Sequence, residues 1–188
     1  MIKIQVKVCC MASVAEARLA LGLGADAVGL VGHMPSGPGV IGVAVAAQIA
    51  KEMPCGIDTF LLTSAMRASE IVQDLAVCPV SAVQIVRHID PGEYPKLIET
   101  APQVRRIQVV HIEDEGALDL LARYEPFVDA FLLDSGKTFG ADQQFGGTGA
   151  SISITGTHPL RLIMGQSVCH GKTQEIFAGV QPCRCLLY

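Results

Sequence analysis

Short apolar runs rich in β-branched residues alternate with longer amphipathic segments along most of this chain, and that alternation restricts the folds open to it. Strands are predicted near residues 3–9, 26–32, 57–62, 81–86, 105–111 and 128–134. Helices are predicted near residues 13–23, 42–52, 65–76, 92–100 and 115–124. The strand runs are almost uniformly apolar, which is typical of a parallel sheet covered on both faces. Repeats spaced by roughly 25 residues favour the α/β class, as a barrel or as a doubly wound sheet.

The composition fits one domain that spans residues 1–188. Half of the residues are hydrophobic and 17% are charged, which allows a sizeable core and argues against global disorder. The length is short for a complete eight-unit barrel, which typically needs about 250 residues. The net charge is −4 and no basic run occurs, so the sequence argues against nucleic-acid and anionic-membrane partners.

The N-terminal residues and the cysteines indicate the cellular compartment. The first seven residues alternate polar and apolar side chains like a strand and lack the apolar core of a signal peptide. No apolar run approaches the roughly 18 residues of a membrane span. Seven cysteines form no C-x-x-C pair, and the C-x-C of Cys183 and Cys185 has no complementary pair for zinc. We therefore expect a cytoplasmic protein with reduced thiols and no metal.

Reactive groups in parallel α/β folds collect at the carboxyl ends of the strands. The candidates there are Cys9, Cys10, Gln84, Arg87, His111 and Asp134. A cysteine and an aspartate facing each other across a barrel mouth can act as general base and general acid. Because side chains alternate along a strand, Cys10 is expected to point away from Cys9. For His111 we expect a strand-end histidine with a backbone partner rather than a catalytic base.

Two glycine-rich segments follow predicted strands. Residues 35–39 read Pro-Ser-Gly-Pro-Gly after the second strand, and residues 146–149 read Gly-Gly-Thr-Gly after the sixth. Backbone N–H groups in such loops can converge on an anion, and the alternative is a tight turn whose glycines supply positive φ. The segments alone leave both interpretations open.

Taken in order, these segments resemble the phosphoribosylanthranilate isomerase family. The matching segments are Lys7-Val8-Cys9, residues 24–31, Val83-Gln84-Ile85, residues 131–135 and Gly146-Gly147-Thr148-Gly149. They correspond to the family's Lys-Ile-Cys opening, its second strand, its Val-Gln-Leu, its sixth strand and its glycine-rich loop. The resemblance covers residues 3–149.

The resemblance implies a TIM (β/α)8-type barrel that rearranges N-(5-phosphoribosyl)anthranilate in tryptophan biosynthesis. This Amadori rearrangement uses no cofactor, and its partner is a small phosphorylated substrate. By motif match, Asp134 would be the general acid that protonates the furanose ring oxygen. Cys9, as thiolate, would remove the C2′ proton. Substrate binding would involve Gln84, Gly146, Gly147, Thr148 and Gly149.

The chain departs from the family pattern at several positions. Cys10 replaces a glycine, Gly37-Pro38-Gly39 lacks an expected arginine, and Val86 replaces a histidine. Residues 150–188 depart further, since they lack the His-Asp-Trp motif that follows the family's glycine-rich loop. Residues 176–180 are the candidate seventh strand, and no segment represents the eighth.

The atypical tail motivates three readings beyond an intact isomerase. The barrel is expected to be incomplete at its C-terminus, as a frameshift near residue 150 would produce, with weak or absent activity. An inactive remnant that binds a phosphorylated metabolite is one alternative. An isomerase or lyase acting on another sugar phosphate is the other.

Overall fold

The computed structural model describes residues 5–35, 39–112, 116–134, 161–164 and 186–187. Eight strands lie within these ranges: β1 (Gln5–Val8), β2 (Ala27–Val31), β3 (Asp58–Thr63), β4 (Ala82–Ile85), β5 (Arg105–His111), β6 (Ala130–Asp134), β7 (Arg161–Met164) and β8 (Leu186–Leu187). The α-helices in the same ranges are α1 (Val14–Gly22), α2 (Val43–Lys51), α3 (Ala68–Val77), α4 (Tyr94–Thr100) and α5 (Gly116–Tyr124). Short 3-10 turns precede α4 and follow α5, at Pro91–Glu93 and Glu125–Phe127.

The strands form one parallel sheet in the order β7-β6-β5-β4-β3-β2-β1-β8. Cα atoms of β7 and β8 approach within 8 Å, so the curved sheet brings its two outer strands together. A sequential parallel order with the eighth strand beside the first is the topology of the (β/α)8 barrel. The fold is therefore of the TIM-barrel type, as predicted.

The N-terminal three-quarters of the barrel agrees with the sequence prediction. Each of the six predicted strands and five predicted helices is present at its predicted place. The tail differs. The seventh strand lies at Arg161–Met164, whereas residues 176–180 are outside the described part of the chain. The expectation that no segment represents the eighth strand is wrong, because Leu186–Leu187 pairs with Gln5 and Val6. Within the described ranges, helices follow β1 to β5 and none follows β6 to β8.

Alternation along the strands separates two apolar layers. One side faces the barrel interior, where the buried residues are Ala27, Val31, Phe60, Leu62, Ala82, Ile107, Val109, Ala130 and Leu132. The other side packs against the helices; Val28 and Leu30 meet α1 and α2, while Val83 and Phe131 meet the apolar faces of α3, α4 and α5. A parallel sheet buried on both faces explains why the strand segments are so uniformly apolar.

The connection from β1 to α1 is short and capped. Ser13 Oγ accepts a hydrogen bond from Glu16 N at 3.2 Å, and Glu16 Oε2 accepts one from Ala12 N at 2.8 Å. Two otherwise unpaired donors at the helix start are thereby satisfied. The caps fix where α1 begins, and they hold the backbone that follows Cys9.

Ion pairs join the amino ends of the strands, at the face opposite the carboxyl ends. Asp58 Oδ1, at the start of β3, accepts hydrogen bonds from Arg105 Nη2 at 2.5 Å and from Ser81 Oγ at 3.2 Å. Asp129 Oδ2 accepts from Arg106 N at 2.7 Å and pairs with Arg106 Nη2 at 2.8 Å. These contacts tie β3 to β6 together at one face and leave the other face for chemistry.

A buried polar contact fastens α4 to β5. The Tyr94 hydroxyl donates a hydrogen bond to Gln108 Oε1, and both side chains are fully buried. Gln108 Nε2 donates to the carbonyl oxygens of Ile85 at 3.3 Å, Arg87 at 3.1 Å and Val109 at 2.7 Å. The glutamine thus needs Tyr94 to satisfy its oxygen.

Replacing Tyr94 with phenylalanine is expected to lower the free energy of unfolding by about 1–3 kcal/mol, because Gln108 Oε1 would stay buried without its donor. Urea denaturation followed by circular dichroism measures the change. Glu99→Gln, on the exposed side of the same helix, is the matched control and is expected to change stability by less than about 0.5 kcal/mol. Equal stability of Tyr94→Phe and the control would contradict this account.

Candidate active site

The carboxyl ends of the strands bring the predicted reactive residues to one end of the barrel. Cys9 follows β1, and His111 and Asp134 end β5 and β6, where the two residues are paired in register. All three belong to the inward-facing set of their strands. Gln84 faces inward from β4 but is only 4% exposed, so it lies within the interior. Residues 146–149, predicted to bind substrate, lie outside the described residues, as do residues 36–38.

A fully buried lysine lies under Cys9. Lys7, one inward position before Cys9 on β1, has no exposed surface, and its Nζ donates a hydrogen bond to Gln84 Oε1 at 2.6 Å. The same Nζ lies 4.4 Å from the centroid of the Phe60 ring, a cation–π contact. Burial lowers the pKa of Lys7 from 10.5 to about 8, and the nearby Cys9 thiol group, which is hydrogen-bonded to the lysine, partly opposes the shift.

Lys7 is absent from the residues predicted for the site, whereas Gln84 is predicted to bind substrate. The structure puts the Gln84 side-chain oxygen against the Lys7 ammonium inside the barrel. The sequence does carry a signal for Lys7, because a lysine two residues before a candidate general base on the same strand shares its face and is therefore expected in the interior. The role of Gln84 toward a substrate stays a prediction.

Space for the Cys9 thiol comes from the neighbouring strand. A Cβ atom at Gly29 would lie 2.5 Å from Cys9 Sγ, 3.2 Å from Cys9 Cα and 3.1 Å from Lys7 Cε. The separation from Cys9 Sγ is shorter than real Cβ atoms show and the other two are unusually tight, so a side chain at this position of β2 would displace Cys9 Sγ and crowd Lys7. Cys9 as a whole is half-buried.

The expectation that Cys10 points away from Cys9 is wrong. Cys10 has φ of 63°, a left-handed conformation that ends the alternation of the strand. Cys10 packs against the same barrel-interior cluster as Cys9. A Cβ atom added at Gly39 would lie 2.5 Å from the Cβ of Cys10. Burial raises the pKa of Cys10, and the adjacent Cys9 adds to that rise. Cys10 is therefore held as a neutral thiol.

His111 has the backbone partner that the sequence predicted. Its Nε2 lies 3.2 Å from the carbonyl oxygen of Val86, which can only accept, so Nε2 carries a proton. Its Nδ1 faces Asp134 Oδ2 at 3.9 Å. Nδ1 is buried and has no hydrogen-bond partner among the residues that the structure describes. The ring also lies 5.7 Å from that of His88, centroid to centroid.

Within the described ranges, the structure has neither a cluster of metal-ligating side chains nor a membrane-spanning helix. No group of three or more His, Cys, Asp or Glu side chains there is arranged to hold a metal ion. No helix there is long and apolar enough to cross a bilayer. The chemistry available at this end of the barrel is that of a thiol, a carboxyl group, an imidazole and a buried amine.

Curated relatives of the chain are phosphoribosylanthranilate isomerases. The Rubrobacter xylanophilus enzyme is 31% identical over 171 residues, which cover 91% of this chain and 79% of the relative. The Methanosarcina mazei isomerase 2 is 31% identical over 132 residues, which cover 70% of this chain and 58% of the relative. The chain thus spans less than two-thirds of that second relative. No family model matches the chain.

Solved structures of phosphoribosylanthranilate isomerases share the fold of this chain. The Thermotoga maritima phosphoribosylanthranilate isomerase superposes with a TM-score of 0.73 at 19% identity, over 98% of this chain and 87% of that one. An isomerase in complex with reduced 1-(o-carboxyphenylamino)-1-deoxyribulose 5-phosphate gives a TM-score of 0.70 at 18% identity, over 99% and 87% of the two chains. At these identities the likeness shows the barrel fold.

The buried ammonium predicts a specific dependence of stability on pH. Because the pKa of Lys7 falls from 10.5 to about 8 on folding, the unfolded chain keeps this proton at pH values where the folded chain has lost it. Stability due to Lys7 is therefore highest above pH 10.5 and declines as the pH falls toward 8. A Lys7→Met/Gln84→Leu double variant removes the effect. Its stability relative to wild type is expected to fall by about 2 kcal/mol between about pH 7 and about pH 9.5.

Urea denaturation of both proteins at the two pH values measures this difference. Titration of groups that do not touch the pair, such as Tyr94 and Cys78, is common to both proteins and cancels in the comparison, and a Cys9→Ala background in both proteins removes the contribution of the neighbouring thiol. A difference in stability that does not change with pH would show that Lys7 titrates in the folded protein as it does in water.

The close packing at Gly29 predicts that alanine there displaces the Cys9 sulfur. Gly29→Ala is expected to cost about 1–3 kcal/mol of stability, because Cys9 and Lys7 must both shift. The variant is also expected to slow the alkylation of Cys9 by iodoacetamide. Gly22→Ala, at a position with no atom within 4 Å of the added Cβ, is the matched control. Equal stability and equal Cys9 reactivity in the two variants would refute the packing argument.

Proposed function

Because this chain belongs to the phosphoribosylanthranilate isomerase family, we propose that it catalyses the Amadori rearrangement of N-(5-phosphoribosyl)anthranilate in tryptophan biosynthesis. The observation that carries the proposal is the position of Cys9 and Asp134. Both lie on the inner side of the barrel at the carboxyl ends of β1 and β6, where parallel barrels place their reacting groups. A thiol and a carboxyl group at one barrel mouth supply the base and the acid that the rearrangement needs.

The first step of the proposed reaction opens the sugar ring. Asp134, as a carboxylic acid, gives its proton to the furanose ring oxygen, and the bond from that oxygen to C1′ breaks. The lone pair of the anthranilate nitrogen forms the Schiff base. The ring oxygen becomes a hydroxyl group, and Asp134 is left as a carboxylate. General acid catalysis of this kind contributes about 10²–10⁴-fold to the rate.

The second step moves a proton from carbon to sulfur. The Cys9 thiolate takes the C2′ proton, the C2′–H electrons form the C1′=C2′ bond, and the Schiff-base nitrogen accepts the displaced pair to give an enolamine. Tautomerisation to the ketone then completes the isomerisation. Hydrogen is redistributed within the substrate, so we expect no redox cofactor and no metal.

His111 supports the acid role of Asp134. With Nε2 donating to the carbonyl oxygen of Val86, Nδ1 of His111 faces Asp134 Oδ2 at 3.9 Å. A movement of about 1 Å would let a protonated Asp134 donate a hydrogen bond there. The acid form of the carboxyl group therefore has an acceptor close at hand, in addition to the substrate oxygen.

The remaining parts of the proposal concern binding and compartment. We propose that Gly146, Gly147, Thr148 and Gly149 take part in substrate binding, since glycine-rich loops can present backbone N–H groups to an anion. Gln84 would act on the substrate indirectly, since its oxygen already holds Lys7. We place the protein in the cytoplasm, where Cys9 and its other free cysteines stay reduced.

Activity of the purified protein tests the proposal. Loss of N-(5-phosphoribosyl)anthranilate is followed by fluorescence, and Cys9→Ala and Asp134→Asn are each expected to lower kcat/KM by at least about 100-fold. The matched controls are Cys55→Ala and Asp119→Asn, which change an exposed thiol and an exposed carboxylate. Both controls are expected to stay within about twofold of wild type.

Two results would contradict the proposed function. One is an absence of turnover in a wild-type protein that unfolds cooperatively. The other is turnover that survives both substitutions, because the rearrangement would then use groups other than Cys9 and Asp134.

A further inference from the structure

We propose that Lys7 is a positioning residue that keeps Cys9 in the thiolate form, with Gln84 fixing the ammonium group beside the sulfur. The inference rests on the proposed function, in which Cys9 is the base. It assigns a role to a residue that the rearrangement itself does not touch.

Burial of the Lys7 ammonium group is energetically costly. Lys7 has no exposed surface, and an ammonium group that loses its water is strongly disfavoured unless a charge or several acceptors replace that water. Gln84 Oε1 at 2.6 Å and the face of Phe60 at 4.4 Å supply partial compensation. Neither carries a negative charge, so the ammonium gains most from an anion nearby.

Cys9 is the group placed to supply that anion. Among the described residues, the titratable groups that act on the Lys7 ammonium are Cys9, which is hydrogen-bonded to it, and Cys10. Burial raises the pKa of Cys10 and keeps it neutral. Arg105 Cζ lies 5.9 Å from the centroid of the same Phe60 ring, but its Nη2 forms an ion pair with Asp58 Oδ1 at 2.5 Å. The proton of the Cys9 thiol therefore has a nearby amine to receive it.

The pair holds one proton in either of two arrangements. In one, the amine is neutral and Cys9 is a thiol; in the other, the ammonium faces a thiolate. The second arrangement provides the base that the rearrangement needs. When the thiolate takes the C2′ proton, a C–H bond breaks, an S–H bond forms, and no group is oxidised or reduced. Gln84 accepts a hydrogen bond from either form of Lys7, so it holds the nitrogen in place throughout.

Alkylation of Cys9 by iodoacetamide tests the role without substrate. The rate reports the thiolate, and tandem mass spectrometry of the digested protein separates Cys9 from Cys10. Gln84→Leu removes only the acceptor, whereas Lys7→Met/Gln84→Leu removes both partners and leaves no polar atom of the pair buried. Lys96→Met, at an exposed lysine, is the matched control. Exposed Cys55 is an internal reference, and buried Cys78 reports unfolding.

At about pH 7 we expect Cys9 of the double variant to react at least about tenfold more slowly than Cys9 of Gln84→Leu, with Cys55 unchanged. The pH at which the rate is half-maximal should rise by about one unit or more. Rates at Cys9 that agree within about twofold in these two variants from about pH 6 to about pH 10 would overturn the proposal.

Two further readouts keep the test decisive. If Cys78 reacts as fast as Cys55, the double variant has unfolded. Lys7→Gln, which keeps a polar partner for Gln84 but removes the charge, then replaces it, and its Cys9 alkylation rate is compared in the same way. If the protein has no isomerase activity but loss of Lys7 slows Cys9 alkylation tenfold, the proposed function is wrong and the role of Lys7 toward Cys9 stands. If the protein is active but loss of Lys7 does not change Cys9 alkylation, the proposed function stands and the role of Lys7 is wrong.

Discussion

A parallel sheet that is covered on both faces has space for reacting groups only where its strands end, and the molecule is organised around that constraint. Helices cover the outer side of the strands, while apolar side chains such as Phe60 and Leu132 fill the interior. Polar contacts are therefore displaced to the two ends. At the amino ends, Asp58 and Arg105 tie neighbouring strands together. At the carboxyl ends, Cys9, His111 and Asp134 are left for chemistry.

Lys7 is the exception to this separation, and its environment links stability to reactivity. The buried amine lowers stability at neutral pH, because folding strips its water, as the fall of its pKa to about 8 shows. A purely structural interior would hold an apolar residue here, since removal of buried charge often stabilises proteins. Its contacts with Gln84 and Cys9 give the destabilising group a chemical use. Functional sites commonly retain such locally unfavourable arrangements.

Much of the fold could be predicted from the sequence, because strand and helix periods are local properties. The strands that contain Val28 and Phe131, and the catalytic candidates at strand ends, follow from periodicity and parallel topology. The errors have nonlocal causes. The position of Cys10 could not be predicted, because its left-handed backbone ends the alternation of the strand and its side chain lies against Gly39, in the segment that follows the neighbouring strand β2. The hydrogen bond between Lys7 and Gln84 could not be predicted, because a contact between β1 and β4 produces no pattern within either segment. The two residues of β8 are too few to show a period.

The pairing of β8 with β1 also bears on how the molecule assembles. Leu186 and Leu187 lie beside Gln5 and Val6, so this contact joins opposite ends of the sequence, whereas most strand pairs in the sheet join near neighbours. Bringing distant segments together carries the largest loss of chain entropy, and contacts of high sequence separation slow folding. The local repeats from β2 to β6 can form first. We therefore expect the strand that leads to Cys9 to gain its second neighbour late in folding, so that the reactive centre is completed among the last steps.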